Sequence, residues 1–197
     1  ADNLAGALVR PFLVQIGYND FDVGIATATI GLFATLLGTL LGGVLTTSMG
    51  LGHALWVFGI LQIASNLGYV LIADIGVDRP LMYGAMAFES LTSGMGTGAF
   101  GVLLLRMTQK QFSATQYALF SSLFALPRIL AGPVTGLTVD AMGWHDFFIL
   151  TMVIGIPGMV LLQRFSPLGV RDPDMEVLAT GHSLPITRRA LALRALL

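Results

Sequence analysis

Residues Val23–Leu45 read VGIATATIGLFATLLGTLLGGVL and contain no charged side chain. An α-helix rises about 1.5 Å per residue, so roughly 20 apolar residues cross the hydrocarbon core of a bilayer, which is about 30 Å thick. Four further long apolar blocks follow, at His53–Ala73, Leu81–Leu105, Tyr117–Val139 and Phe147–Phe165. Short polar segments separate these blocks. The sequence therefore predicts a polytopic membrane protein.

The composition agrees with this prediction. The chain has 197 residues, of which 55% are hydrophobic and 11% charged, and its mean hydropathy is +0.81. Only helices and closed barrels satisfy every backbone polar group in lipid. Barrel strands would be about ten residues long with an alternating pattern, whereas these blocks are continuous and longer. We expect an all-α transmembrane helical bundle surrounded by the lipid bilayer.

Several classes of function find no support in the residues. The chain has no cysteine, which excludes disulfides and thiolate metal sites, and its three histidines have no metal-ligand spacing. A net charge of −1 gives no reason to expect nucleic acid. Gly94–Ala99 matches a dinucleotide-binding pattern, but that pattern requires a preceding strand, and here it lies inside a membrane span. We expect no enzyme activity, no cofactor and no metal.

The two ends of the chain differ from its middle. Ala1–Ile16 is apolar from its first residue, so we expect it to be the remainder of a truncated span and the chain to be a C-terminal piece of a longer protein. Residues 1–165 then form the helical bundle. Residues 166–197 are more polar and predict a tail that is poorly ordered or lies on the membrane surface.

The loops carry charge unevenly. One set is rich in aspartate and has Arg79 as its single basic residue; it comprises Gly17–Asp22, Asp74–Pro80 and Asp140–Asp146. We call the end of the bundle with these loops the acidic end. The other set holds most of the basic residues and comprises Thr46–Gly52, Arg106–Gln116 and the tail from Arg164. We call that end the basic end. Basic loops stay in the cytoplasm, so we expect the tail to be cytoplasmic.

Few ionisable residues fall within the predicted spans: apart from His53 and Arg164 at the ends of their blocks, they are Asp2, Arg10, Glu89 and Arg128. A charge at the bilayer centre costs about 2.5–3.5 kcal/mol on insertion scales, so such residues face the bundle interior and form pairs. Helix rise puts Glu89 and Arg128 both near mid-membrane. They could form a structural ion pair, or they could contact protons or the solute, and Asp2 is a further candidate for that role.

Polar and small residues extend the face of Glu89. Thr92, Ser93, Gly96 and Thr97 follow it at helical spacings of three, four, seven and eight residues. Such a face inside a membrane lines a water-filled cavity or packs on another helix. A mid-membrane carboxyl group that can be neutral or charged is what a proton-coupled carrier requires, so we expect these residues to line a cavity next to Glu89.

Small residues recur at a spacing of four in three spans, at Gly38 and Gly42, Gly94 and Gly98, and Gly132 and Gly136. Such pairs let helix backbones approach closely in lipid. The pattern fits static tight packing, and it also fits helix faces that slide against each other.

Motifs in several spans together resemble the muropeptide permease family, AmpG, of the major facilitator superfamily. These motifs are, in chain order, Phe88-Glu89, Gly94–Thr97 (GMGT), Phe112–Gln116 (FSATQ), Arg128 with Gly132-Pro133-x-x-Gly136, Gly143-Trp144 and Phe147-Phe148. The resemblance implies the C-terminal six-helix half of a facilitator, with Ala1–Ile16 as the stub of helix seven. It also implies an absent N-terminal half as partner. The loop Thr46–Gly52 departs from the superfamily, because it lacks the basic residues common there.

The resemblance implies import of anhydromuropeptides across the bacterial inner membrane by proton symport, for peptidoglycan recycling. It places Asp2 and Glu89 on helices that line the central cavity, with Arg128 on the helix beside them. Two alternatives stay open. The chain could be part of a facilitator for another solute, such as a sugar, a peptide or an acyl-CoA-like compound, or it could be a half-length module or remnant that transports nothing.

Overall fold

The described part of the chain is helical throughout. The computed structural model describes residues 2–107, 115, 118–119, 121–122, 135–167 and 169, and these contain no strand. Their helices are α1 (Asp2–Ile16), α2 (Asp20–Met49), α3 (Leu51–Ile75), α4 (Arg79–Met107), α5 (residues 135–142) and α6 (Trp144–Phe165). The predicted all-α class is confirmed. Most of the predicted span 117–139 and nearly all of the tail lie outside the described residues.

Three of these helices are long and apolar enough to cross a membrane by themselves. They are Asp20–Met49 with 30 residues, Leu51–Ile75 with 25 and Trp144–Arg164 with 21. Helix α4 has 29 residues and is long enough, but it is less apolar because it carries Glu89, several hydroxyl groups and many glycines. The chain is therefore a multi-pass helical membrane protein, and α4 is the most polar of the long helices that the structure describes.

Tight glycine turns connect consecutive helices. Gly50 joins α2 to α3 with φ of 89°, and Gly143 joins α5 to α6 with φ of 83°. Side chains other than glycine are strained at such angles, so these turns require glycine. At each turn a single glycine separates the end of one helix from the start of the next.

The close contact between α2 and α4 is formed by glycines on both helices. A Cβ atom on Gly98 would lie 2.5 Å from the carbonyl oxygen of Thr39, and one on Gly94 would lie 2.9 Å from the amide nitrogen of Thr39. Gly38 and Gly42 press in the same way on the α4 backbone at Leu91 and Met95. The close approach predicted from the glycine spacing is confirmed for these two pairs, whereas Gly132 lies outside the described residues.

An aromatic cluster closes the acidic end of the bundle. The Phe12 ring lies 4.8 Å from the Phe148 ring, and the Tyr69 ring lies 5.1 Å from the same Phe148 ring, measured between centroids. The indole nitrogen of Trp144 donates to Oε1 of Gln15 at 3.0 Å. These contacts join α1, α3 and α6 into one packed end.

The hydroxyl group of Tyr18 ties two acidic loops together. It accepts from the backbone N–H of Asp78 at 2.8 Å and donates to the carbonyl oxygen of Gly76 at 3.0 Å. Tyr18 is 4% exposed, so this hydrogen-bond pair is held inside the protein. The α1–α2 and α3–α4 loops therefore lie side by side at one end, as the alternating pattern of charge predicted. At the other end, the indole nitrogen of Trp56 donates to the carbonyl oxygen of Ser166 at 2.8 Å.

Candidate functional site

Glu89 lies well inside α4. It follows the helix start at Arg79 by ten residues and precedes the helix end at Met107 by eighteen, which corresponds to about 15 Å and about 27 Å along the axis. Its side chain is half-buried, and Oε2 lies 3.5 Å from the Ser90 hydroxyl group. The Glu89 carbonyl oxygen also accepts from the Thr92 hydroxyl group at 2.9 Å. Glu89 is therefore a half-buried carboxylate that lies away from both ends of a membrane helix.

A groove runs between α3 and α4 on the side of Glu89 that faces the basic end. It has a volume of about 270 Å³, and α4 contributes Ser93, Gly96, Thr97, Ala99 and Phe100 to its walls. The facing residues of α3 are Leu55, Phe58, Gly59 and Gln62. The structure thereby brings three of the four predicted cavity-lining residues together along one groove.

The fourth of those residues, Thr92, is placed differently. Its side chain is 1% exposed, and its hydroxyl group donates to the carbonyl oxygen of Glu89 in the same helix. Ser93 is the next residue and lines the groove. Adjacent residues on a helix point about 100° apart, so only one of the pair reaches the groove.

A second cavity, of about 380 Å³, lies between α2 and α4. Its walls include Met86 and Ser90 of α4 and Thr27, Ala28, Gly31, Leu32 and Thr35 of α2. Residues Ile25–Gly31 of α2 form a π-helix rather than an α-helix. Such segments are rare and occur often at functional sites. The apolar pattern of Val23–Leu45 did not predict the π-helix, because a change from i→i−4 to i→i−5 backbone hydrogen bonds leaves the composition unchanged.

An ion pair joins the acidic ends of α2 and α4. Nε of Arg79 lies 2.8 Å from Oδ2 of Asp22, whose side chain is 12% exposed, and the Tyr83 hydroxyl group donates to Oδ1 at 3.3 Å. The sequence placed Asp22 and Arg79 in acidic loops on one side but did not predict their pairing. Pairing depends on which helices are neighbours, and local sequence does not contain that information.

Replacing Arg79 with alanine should lower the free energy of unfolding by about 1–2 kcal/mol. The Asp22 carboxylate would lose its cation, and hydrogen bonds to charged groups contribute on this order. The effect stays below that of a fully buried pair because the Arg79 side chain is 65% exposed. Thermal denaturation in detergent measures the change. In an Asp22→Asn background the same replacement should cost much less, and an equal cost in both backgrounds would contradict the pairing.

Two predicted site residues are not placed by the structure. Arg128 lies outside the described residues. Asp2 begins α1, and its side chain lies outside the part of the chain that is described. The pairing of Glu89 with Arg128 and the role of Asp2 therefore stay predictions.

The described site combines the Glu89 carboxyl group and the Ser90 hydroxyl group beside it with the neighbouring α3–α4 groove. The polar side chains of that groove are Ser93, Thr97 and Gln62. A carboxyl group in this setting can exchange a proton, and hydroxyl and amide groups can bind water or polar groups of a solute. No group of three or more metal-ligating side chains is found among the described residues. The arrangement suits binding and proton exchange.

Comparison with known proteins identifies relatives over most of the chain. The anhydromuropeptide permease of Escherichia coli K12 is 43% identical over 162 residues, which is 82% of this chain and 33% of that protein. A Rickettsia prowazekii protein that carries the name AmpG 1 is 30% identical over 163 residues, covering 83% of this chain and 37% of the relative. A Haemophilus influenzae protein of no stated function is 31% identical over 174 residues, covering 85% and 41%.

These relatives confirm the resemblance drawn from the sequence motifs. The E. coli relative carries the name of a permease and the R. prowazekii relative that of a transporter, which agrees with the expectation that the chain is not an enzyme. The chain spans about a third of the length of the E. coli permease that it matches. No family model matches the chain.

Proposed function

From its homology to the anhydromuropeptide permease (AmpG) family, we propose that this chain is part of a proton-coupled secondary transporter that imports anhydromuropeptides for peptidoglycan recycling. One observation carries the proposal. Glu89 carries a carboxylate inside a membrane helix, and Ser93, Gly96 and Thr97 extend its face of that helix along the α3–α4 groove. The bundle that contains this groove is homologous to a permease. Soluble cores and passive membrane anchors have no need of this arrangement, because an intramembrane carboxylate is costly to bury.

In this proposal the chain is the C-terminal half of the carrier, with residues 1–165 as its helical bundle. Facilitators bind the solute between two halves and alternate access by rocking one half against the other. The absent N-terminal half is then the partner of this chain. The glycine contact between α2 and α4 supports movement of this half as one rigid body, because the backbones of the two helices are in direct contact.

The proposed location is the bacterial inner membrane, with the acidic end outside and the basic end and tail in the cytoplasm. The distribution of charge supports this orientation. The one basic residue of the acidic loops, Arg79, is neutralised by Asp22, whereas Arg106 and Arg164 lie in the last turns of α4 and α6 at the basic end. Basic residues therefore cluster at the basic end, which is the side that the positive-inside rule assigns to the cytoplasm.

Within the site, we assign proton exchange or solute contact to Glu89. Arg128 would be its partner or would bind an anionic group of the solute, and Asp2 is a further candidate on α1. Ser93, Gly96 and Thr97 would line the solute or water path, and Thr92 would hold the helix backbone at Glu89 through its hydrogen bond.

The solute is tested by competition. Cells that express the native polypeptide carrying these residues should take up radiolabelled anhydromuropeptide, and an excess of unlabelled anhydromuropeptide should remove most of that uptake. An equal concentration of a free amino sugar, a short peptide or a coenzyme A thioester should leave it nearly unchanged, because each offers only part of the recognised groups or different ones. Equal competition by one of these compounds would reassign the solute.

A further inference from the structure

The π-helical segment Ile25–Gly31 interrupts α2 between two contacts that fix this helix to α4. On its acidic-end side, the Asp22 carboxylate pairs with Arg79, and the Asp22 side chain is 12% exposed. On its basic-end side, a Cβ atom on Gly38 or Gly42 would clash with the α4 backbone. Both contacts depend on the rotation of α2 about its own axis. Neither flank can therefore turn without losing its contact with α4.

The π-helical segment has the geometry of a one-residue insertion. A π-helical turn closes its backbone hydrogen bond over five residues, whereas an α-helical turn closes it over four. A π-helical segment inside an α-helix therefore accommodates an extra residue while the flanking turns keep their orientation. Residues 25–31 contain no proline that would force this change. Removal of one residue should leave a continuous α-helix with both flanks in place.

The segment forms one wall of the α2–α4 cavity, next to Glu89. The cavity has a volume of about 380 Å³, and Thr27, Ala28 and Gly31 of the segment lie in its walls. On the other side, α4 contributes Ser90, which is 8% exposed. Oε2 of Glu89 lies 3.5 Å from the Ser90 hydroxyl group. The cavity therefore adjoins the candidate site through Ser90.

Gly31 brings the π-helical backbone close to Ser90. A Cβ atom on Gly31 would lie 3.3 Å from the Ser90 hydroxyl oxygen and 3.3 Å from the carbonyl oxygen of Ala26. Both distances are tighter than nearly all real Cβ contacts, so a larger residue would displace its neighbours. The segment thus approaches α4 at Gly31, while the side chain of Ala28 in the same wall stays exposed.

The lining of the cavity suits an uncharged polar group. Its polar members are the hydroxyl groups of Thr27, Thr35 and Ser90, and its apolar side chains are those of Ala28, Leu32 and Met86. No charged residue is among the described residues of its walls. A hydroxyl oxygen can accept hydrogen bonds while it donates, as the Thr27 hydroxyl group does to the carbonyl oxygen of Val23 at 2.8 Å. Burial of an unpaired charge is costly, so this cavity favours hydroxyl and amide groups over carboxylates and amines.

We propose that the π-helical segment of α2 serves solute binding rather than folding, and that the α2–α4 cavity beside it holds an uncharged part of the solute that bears hydroxyl or amide groups. This inference rests on the proposed function, because it assigns a subsite within the proposed carrier. The charged groups of the solute lie outside this cavity. Removal of the segment should then weaken binding without unfolding the protein.

The first test compares two deletions in α2 and needs no solute. Thr29 is an exposed residue of the π-helical segment, and its deletion should convert the segment to α-helix without moving either flank. Leu40 is 70% exposed and lies between Gly38 and Gly42, so its deletion rotates one of these glycines away from α4. The native polypeptide carrying these residues is purified in detergent, and its yield and melting temperature are measured.

Deletion of Thr29 should leave the melting temperature within about 3 °C of that of the unmodified protein, because both contacts of α2 with α4 are kept. Deletion of Leu40 should remove most of the folded protein, because each residue of an α-helix turns the chain by about 100°. Equal destabilisation by the two deletions would show that the π-helical segment is required for folding, and the proposal would be wrong.

The second test fills the cavity. Ala28 and Thr29 are adjacent, exposed residues of the π-helical segment, and Ala28 lines the cavity whereas Thr29 does not. Ala28→Leu therefore places a larger side chain in the cavity, and Thr29→Leu is the matched control. Vesicles bearing the native polypeptide exchange labelled for unlabelled anhydromuropeptide without a pH gradient. The half-saturating concentration and the maximal rate of this exchange are measured.

Ala28→Leu and the deletion of Thr29 should each raise the half-saturating concentration about tenfold and keep the maximal rate within about twofold, as loss of ground-state binding requires. Thr29→Leu should change neither quantity. An unchanged half-saturating concentration in Ala28→Leu, or a fall in its maximal rate alone, would overturn the subsite while the proposed function stands. Absence of exchange in the unmodified polypeptide would overturn the proposed function, and the subsite with it.

Discussion

Glu89→Gln should abolish solute uptake driven by a pH gradient while leaving the amount of protein in the membrane unchanged. Glutamine has nearly the shape of glutamate and can still hydrogen-bond to the Ser90 hydroxyl group, which lies 3.5 Å from Oε2. It cannot release or accept a proton at neutral pH. Uptake should therefore fall to the level of vesicles that lack the protein, as measured with radiolabelled anhydromuropeptide under an imposed gradient.

Two controls accompany this variant. Glu89→Asp keeps a carboxyl group and should retain part of the uphill uptake, which separates loss of the proton site from loss of helix packing. An immunoblot of the membranes shows whether the amounts of protein match. If Glu89→Gln takes up solute at the rate of the unmodified protein under the same gradient, the assignment of Glu89 is wrong.

Gly98→Leu should prevent α2 and α4 from packing and lower the free energy of unfolding by about 3 kcal/mol, at the upper end of the cost of overpacking a core. Even a Cβ atom at this position would lie 2.5 Å from the Thr39 carbonyl oxygen and 2.8 Å from the Gly43 nitrogen. Backbone atoms cannot turn away as a side chain can, so the helices must separate. Reduced yield of folded protein and a lower melting temperature in detergent are the expected results.

Gly84→Leu is the matched comparison for this packing prediction. It makes the same change on the same helix, at a position where a Cβ atom meets nothing within 4 Å. It should melt close to the unmodified protein, and it should be somewhat favoured within a helix because glycine is a poor helix former. Equal destabilisation by the two replacements would show that helix propensity or bulk, rather than the α2–α4 contact, controls stability.

The sequence predicted those parts of the fold that depend on local pattern. Continuous apolar blocks predicted helices, and the four-residue spacing of Gly94 and Gly98 predicted a close helix contact. The partner of that contact could not be predicted, because glycine spacing does not specify which helix packs against it. The pairing of Asp22 with Arg79 was missed for the same reason, since it requires α2 and α4 to be neighbours.

The candidate site was predicted to a similar extent. Glu89 stood out because a carboxylate inside an apolar block is rare and costly. Helical spacing predicted one polar face, and the groove contains Ser93, Gly96 and Thr97 of that face. Spacing alone could not assign Thr92, which lies at the edge of the face, and it could not indicate Gln62, which belongs to another helix. The sequence pattern also did not predict the π-helical segment Ile25–Gly31 of α2.

The most direct test of proton-coupled import is proton movement during uptake by the native polypeptide. Anhydromuropeptide is added to right-side-out vesicles that enclose a pH-sensitive dye, with no gradient imposed. Entry of the solute together with protons should acidify the lumen, and Glu89→Gln vesicles should show no such change. Solute entry into unmodified vesicles without any change in lumen pH would contradict the account.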